Sequence, residues 1–330
     1  MTRQLGVHGP DVSSIGLGAM GMSGMYGAAD EAESISTIHA ALDAGIDLLD
    51  TGDFYGMGHN EMLIGRALEG QDRERVLISV KFGAQRGPDG SWLGYDARPA
   101  AVKTAVAYSL QRLRTDYIDI YRPARLDPDV PIEETVGAIA ELVEAGYVRL
   151  IGLSEVGAET IRRAAATHPI CDLQIEYSII SRGIEREILP TCRELGIAIT
   201  AYGVLSRGLI SGHWSPDRRL ESTDFRSRGP RFQGENLEHN LALVEALREI
   251  ADAKGATVAQ IAIAWVLARG EDIVPLVGAR RRDRLQEARG ALELDLTEAD
   301  LDRIEDAVPA DAAAGARYPE PQMVHLDSER

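Results

Sequence analysis

The stretch Asp47-Leu48-Leu49-Asp50-Thr51-Gly52-Asp53-Phe54-Tyr55-Gly56 decides how this chain is read. Its short apolar run, Asp47–Asp50, is too brief for a helix and reads as a strand. The run leads directly into hydroxyl, carboxylate and phenol groups. The same construction recurs on both sides of it. Runs at Ile15–Gly18, Val76–Lys81, Tyr117–Tyr121, Val148–Leu153, Leu173–Glu176, Ala198–Tyr202 and Ile273–Val277 read as further strands. Most are unbroken rather than alternating, the pattern of parallel strands buried on both faces. Amphipathic stretches separate them. Ile35, Ile38, Leu42 and Ile46 recur at helical spacing behind a capping-box pair, Asp30 and Glu33. Thr257 with Gln260 opens a later helix in the same way. Eight strand–helix pairs predict a single-domain (β/α)8 barrel over residues 1–330, although an open doubly wound sheet shares the alternation. Three segments depart from the pattern: a Gly/Met-rich loop at 18–30, a long loop at 203–236 and an Ala/Pro-rich tail at 308–330.

In such a barrel, function sits where strands end and the following loops begin. Those positions are polar here. Besides Asp50–Tyr55 they hold Lys81, Tyr121-Arg122-Pro123-Ala124-Arg125, Ser154-Glu155, Gln174-Ile175-Glu176-Tyr177, Tyr202 and Gly278-Ala279-Arg280-Arg281-Arg282. A single polar end carries no information, but their recurrence predicts a shared site on one rim. Tyr55, Lys81 and Asp50 make a sensible proton-transfer set. An unperturbed phenol titrates near ~10. A nearby ammonium favours the phenolate, and a carboxylate bound to the lysine fixes its position. The competing reading is a structural Asp50–Lys81 ion pair with Tyr55 as a loop anchor.

The net charge of −17 excludes nucleic acid and anionic membranes as natural partners. The two cysteines, Cys171 and Cys192, and a start unlike a secretory signal fit a reduced, cytoplasmic protein. No apolar run is long enough to span a bilayer. Seven histidines show no metal-ligand spacing. Gly16-Leu17-Gly18-Ala19-Met20-Gly21 spells a dinucleotide fingerprint, but a loop follows it where the fingerprint needs a helix. Composition is silent on oligomeric state.

At these residues the chain resembles the aldo-keto reductases, from Ile15 to about Leu296. Leu49–Gly56 with Glu61 and Gly65, Val80-Lys81-Phe82, Gln174–Ser178, Ala201–Gly208 and Ile273–Glu287 match the family's motifs in order. The resemblance implies a TIM barrel, NADPH as cofactor and reduction of small aldehydes or ketones. It makes Asp50, Tyr55 and Lys81 catalytic. The fourth member of the family's catalytic set, a histidine, falls at Ala124, and Arg125-Leu126-Asp127-Pro128 keeps the register. Smaller departures are Gly203-Val204 in place of Ser-Pro, and Ala288 in place of an asparagine.

Loss of one aimed donor typically costs about 10²–10³ in rate. A slow or narrow reductase is therefore expected, with Arg122, Arg125 or a water standing in for the histidine and His59 ranked behind them. The resemblance also allows a second class, a nucleotide-binding redox sensor or partner-binding subunit with little turnover. The expected cofactor contacts are Gly18, Met20, Asp50, Ser154, Gln174, Tyr202, Gly203, Leu205, Arg207, Gly208, Gly278, Ala279, Arg280, Arg284 and Glu287. Tyr202 is expected to stack on the nicotinamide, with Ser154 and Gln174 at its carboxamide. Arg280 and Arg284, flanking a helix start, suit a phosphate and favour NADPH over NADH. A solvated basic helix face is the alternative. Trp92, Trp214, Phe225 and Phe232 are candidate pocket walls.

Overall fold

The computed structural model describes residues 2–215 and 217–330; Met1 and Pro216, the latter inside the 203–236 loop, lie outside the described residues. An antiparallel hairpin of β1 (Thr2–Gln4) and β2 (Asp11–Ser13) precedes the barrel. The first barrel strands are β3 (Gly16–Gly18), β4 (Leu48–Gly52) and β5 (Leu77–Phe82). A second hairpin, β6 (Ala84–Arg86) and β7 (Trp92–Tyr95), rises from the end of β5. Then come β8 (Ile118–Pro123), β9 (Val148–Ser154), β10 (Asp172–Glu176), β11 (Ala198–Tyr202) and β12 (Ile273–Gly278). The eight are parallel, and β12 pairs with β3 to close the barrel. The open-sheet alternative is thereby excluded. All eight strands read from the sequence are present, most with ends moved by a residue or two; the two hairpins are additions.

The barrel is wrapped by α1 (Glu31–Asp43), α2 (His59–Ala67), α3 (Pro99–Leu113), α4 (Ile132–Glu144), α5 (Ala158–Thr167), α6 (Ile188–Leu195), α7 (Gly234–Ala253), α8 (Val258–Ala268), α9 (Arg282–Arg289) and α10 (Glu298–Ala307). No single helix among the described residues is long and apolar enough to cross a membrane. Thr257 and Gln260 form a full capping box on α8. Asp30 caps α1 through the Glu33 N–H at 2.8 Å, but the Glu33 carboxylate pairs with Arg282 instead of returning the bond. After β3 only a short 3-10 turn follows, Met20–Ser23, so the glycine fingerprint does not open a helix.

Two apolar cores result. One lies between strands and helices. The other fills the barrel's amino end, where Leu5 and Val12 of the hairpin meet Leu48, Ile120, Ala198 and Val274. Alternation along the strands then places Asp50, Arg122 and Thr200 two residues further on, facing inward above that apolar floor. The tail closes over the carboxyl ends, with one short helix, α11 (Glu320–Met323).

Candidate active site

Strand register brings the proton-transfer set together. β4 and β5 pair Asp50 with Ser79 and Gly52 with Lys81. Lys81 Nζ lies 2.5 Å from Asp50 Oδ1. Ser79 Oγ and Gln174 Nε2 donate to Asp50 Oδ2 at 3.0 and 2.7 Å. The Lys81 ammonium stands 5.2 Å from the Tyr55 ring centroid. Burial pushes Lys81 below its ordinary range; Asp50 pulls it back, and the Arg122 and Arg125 charges lower it further. Burial, then the Asp50 charge, raises the Tyr55 phenol well above its usual value. That differs from the expectation of a lowered phenol: the loss of water and then the charge of Asp50 outweigh the nearby Arg125 cation.

The stand-in donors separate cleanly. Arg122 is fully buried and pairs with Asp172 at 2.9 Å inside the barrel, so it cannot serve the rim. It also donates to Ser79 Oγ at 3.0 Å. Since arginine only donates, the Ser79 hydroxyl proton is directed to Asp50. Thr200 completes this interior chain with a short bond to Asp172. A Cβ at Gly152 would meet Asp172 Oδ1 at 2.6 Å and Arg122 Cζ at 3.0 Å, so the ion pair requires glycine there. Arg125 stays on the rim, half-buried, donating to Ala124 O at 2.6 Å and to the Tyr318 hydroxyl at 3.3 Å. Its charge acts on both Tyr55 and Lys81. His59 begins α2 after Gly58 (φ +92°) and contacts Ser23 Oγ at 2.9 Å and Glu31 at 3.4 Å. The side chain is held by the outer loop.

Beside this set, the tail seals the rim through buried ion pairs. Arg317 donates to both Glu155 oxygens at 3.1 and 2.9 Å, and Ser328 Oγ adds a bond at 2.7 Å. Burial alone would raise Glu155, but Arg317 and Arg125 hold its carboxyl far below the usual carboxylate range. Arg207 pairs with Glu176 at 3.1 Å and donates to Arg317 O at 2.9 Å. The Tyr202 hydroxyl donates to Glu155 at 2.7 Å and meets that of Tyr318 at 2.8 Å. Of the expected walls, Phe225 stands 6.2 Å from Tyr318, Trp214 packs on Phe232 at 5.0 Å, and Trp92 is exposed on the β6–β7 hairpin. Near Tyr55, Asp53 is half-buried with its enclosed Oδ1 unpartnered, and loss of water followed by the Glu61 charge raises it to about 7.

A dinucleotide fits the residues present. The Ser154 hydroxyl, at the end of β9, is fully buried with no hydrogen-bond partner, as is that of Ser206. Such orphaned groups are rare unless a ligand or water satisfies them. Gln174 has its amide N–H on Asp50, leaving its oxygen to serve a carboxamide. Gly18 pairs with Gly278 across β3 and β12, and Met20 is half-buried just beyond. Gly203, Leu205 and Gly208 line the turn that carries Arg207. Arg280 precedes α9 and donates to the Tyr26, Gly27 and Ala28 carbonyls at 3.2, 3.3 and 2.9 Å, with Ala279 buried behind it. Arg284 is more exposed and pairs with Glu287 at 2.9 Å.

Sequence reasoning missed Asn60, which ties the first loop to β4 through Thr51, Ala19 and Ser23, and assigned no role to Tyr26, Asp172, Arg317 or Tyr318. A carboxylate two residues before Gln174, on the same face of the strand, is the one signal that pointed to Asp172.

A profile described as the Aldo/keto reductase family matches residues 14–309. A probable aldo-keto reductase 1 of Glycine max is 44% identical over 318 residues, 96% of this chain and 91% of the relative. The solved structure of a glycerol dehydrogenase from Gluconobacter oxydans superposes with a TM-score of 0.85 at 30% identity, covering 93% of this chain and 94% of the other. The holo form of an aldo-keto reductase from Bacillus halodurans gives 0.77 at 29%, covering 94% and 96%. A closed barrel with a phenol, an ammonium and a carboxylate gathered at one mouth, joined to these matches, shows that the chain belongs to the aldo-keto reductase family, a family of oxidoreductases.

Proposed function

We propose that this protein reduces small aldehydes or ketones with NADPH, that Tyr55 delivers the proton, and that Arg125 replaces the absent histidine as the donor that orients the carbonyl. The observation that carries this reading is the convergence of Asp50, Lys81 and Tyr55 at the carboxyl ends of β4 and β5. When bound, the dinucleotide supplies a hydride. The protein's own groups do the rest. Tyr55 keeps its proton at neutral pH, because burial and Asp50 oppose the phenolate. A proton-bearing phenol is what an oxygen gaining negative charge requires. Lys81 stabilises the phenolate left behind, and Asp50, fixed by Ser79 and Gln174, holds Lys81 in place. Ser154 and Gln174 would meet the carboxamide, Tyr202 the ring, and Arg280 a phosphate. Arg280 has no carboxylate within ion-pair distance among the described residues, which supports the phosphorylated nucleotide. Ala124, fully buried, offers no donor, so turnover depends on Arg125 and is slow on carbonyls that Arg125 reaches poorly.

The test is single-turnover mixing of NADPH-loaded protein with 4-nitrobenzaldehyde. Loss of reduced nicotinamide absorbance is expected, slowed about 10²–10⁴-fold in Tyr55→Phe. An unchanged rate in that variant removes Tyr55 from the chemistry. Tight NADPH binding without any hydride loss in the wild-type protein makes it a nucleotide sensor instead.

A further inference from the structure

The charges around the mouth are paired almost throughout. Lys81 has Asp50, Arg122 has Asp172, Arg207 and Arg231 share Glu176, Arg226 has Asp224, and Arg317 has Glu155. Apart from Arg280, assigned above to a phosphate, Arg125 is the exception. Among the described residues no carboxylate oxygen lies within 4 Å of its guanidinium, and its hydrogen bonds go to a neutral carbonyl and a neutral phenol. It is nevertheless a cation: burial opposes its charge, but a guanidinium holds its proton throughout the working pH range and the nearby Glu155 carboxylate favours it. Glu155 is no competitor for it, being held by Arg317 and Ser328. An unsatisfied, half-buried guanidinium within electrostatic reach of Tyr55 marks a place for an anion.

We infer that the preferred substrates are 2-oxo acids, in which a carboxylate adjoins the carbonyl and both present an oxygen to the Arg125 fork. The inference rests on the reading of Tyr55 as proton donor and goes beyond it by naming the substrate class. With the keto oxygen at Tyr55, the carboxylate lies one bond away, and Arg125 is the cation without a carboxylate partner whose charge reaches Tyr55. A planar guanidinium matches two adjacent oxygens with two parallel N–H bonds, and charge-assisted bonds are about twice as strong as neutral ones. A simple aldehyde offers Arg125 a single oxygen and no charge.

Phenylglyoxylate and its methyl ester test this, since both are aryl ketones of similar shape and only the acid is charged. The wild-type protein is expected to reduce the acid with a kcat/KM at least about tenfold higher. Arg125→Gln brings the ratio close to one, and Arg125→Lys, which keeps charge without the fork, leaves part of it. Calorimetric titration of both ketones into protein saturated with oxidised dinucleotide gives a readout independent of turnover. If neither ketone is reduced but the acid still binds about tenfold tighter and only when Arg125 is present, the reductase reading fails and the anion site stands. Equal handling of acid and ester in both assays, or a preference for the acid that survives Arg125→Gln, overturns the proposal.

Discussion

Two buried ion networks meet at the carboxyl end of this barrel, and they are built in opposite ways. The inner one runs from Lys81 through Asp50 and Ser79 to Arg122 and Asp172, and every member sits on a barrel strand. The outer one runs from Glu155 and Glu176 to Arg207, Arg317 and Ser328, and it joins the barrel to a tail more than 100 residues away in sequence. Strand register dictates the first. The second depends on a segment far along the chain that docks on the strand ends. Arg122 and Arg125, three residues apart, fall on either side of this divide, which is why one is locked in a buried ion pair while the other has no carboxylate partner among the described residues.

The contrast is sharpest in stability. Arg122→Met leaves Asp172 unpaired where neither water nor another cation can reach it. A loss of about 3–5 kcal/mol is expected in urea unfolding, with most of it recovered when Asp172→Leu is added. Arg317→Met exposes a network that can open to solvent. Its cost is expected at about 1–3 kcal/mol, with the tail newly cut in limited proteolysis while the barrel stays intact. Equal losses from the two variants would erase the distinction.

Acid separates the networks as well. Glu155 titrates far below an unfolded glutamate, near ~4.3, because Arg317 outweighs its burial. Its contribution is therefore complete above about pH 4–5 and is lost as pH falls below that. Hydrogen exchange is expected to show tail amides released on acidification before barrel amides are. The smallest effect belongs to Asp53, whose folded value lies above its unfolded one. The folded protein binds the extra proton, so this group lowers stability as pH rises from about 4 towards 7. Asp53→Asn removes that penalty, and a melting temperature about 2–4 °C higher above pH 7 is expected.

The same divide explains what the sequence made legible. The strands were readable because nearly continuous apolar runs such as Val76–Val80, interrupted only by Ser79, have few alternatives. Asp50, Lys81 and Tyr55 could be grouped because strands in a barrel end on a common rim. The inner ion pair was harder to see, since Arg122 belongs to the same Tyr121–Arg125 run that supplies the rim and only the pleat separates their directions. The sequence allows the expectation that residues 308–330 line or cover the pocket, but which tail residues dock, and on what, was not readable. Arg317 and Tyr318 stand in an irregular Ala/Pro-rich segment without periodicity, and their partners are fixed by three-dimensional docking alone.

Ribosomes add residues 317 and 318 after every stave of the cylinder has been made. A nascent polypeptide can therefore close its barrel while Glu155 and Glu176 still lack Arg317, and the mouth stays wet until the last segment arrives. The order of synthesis thus allows the scaffold to close before the rim is sealed.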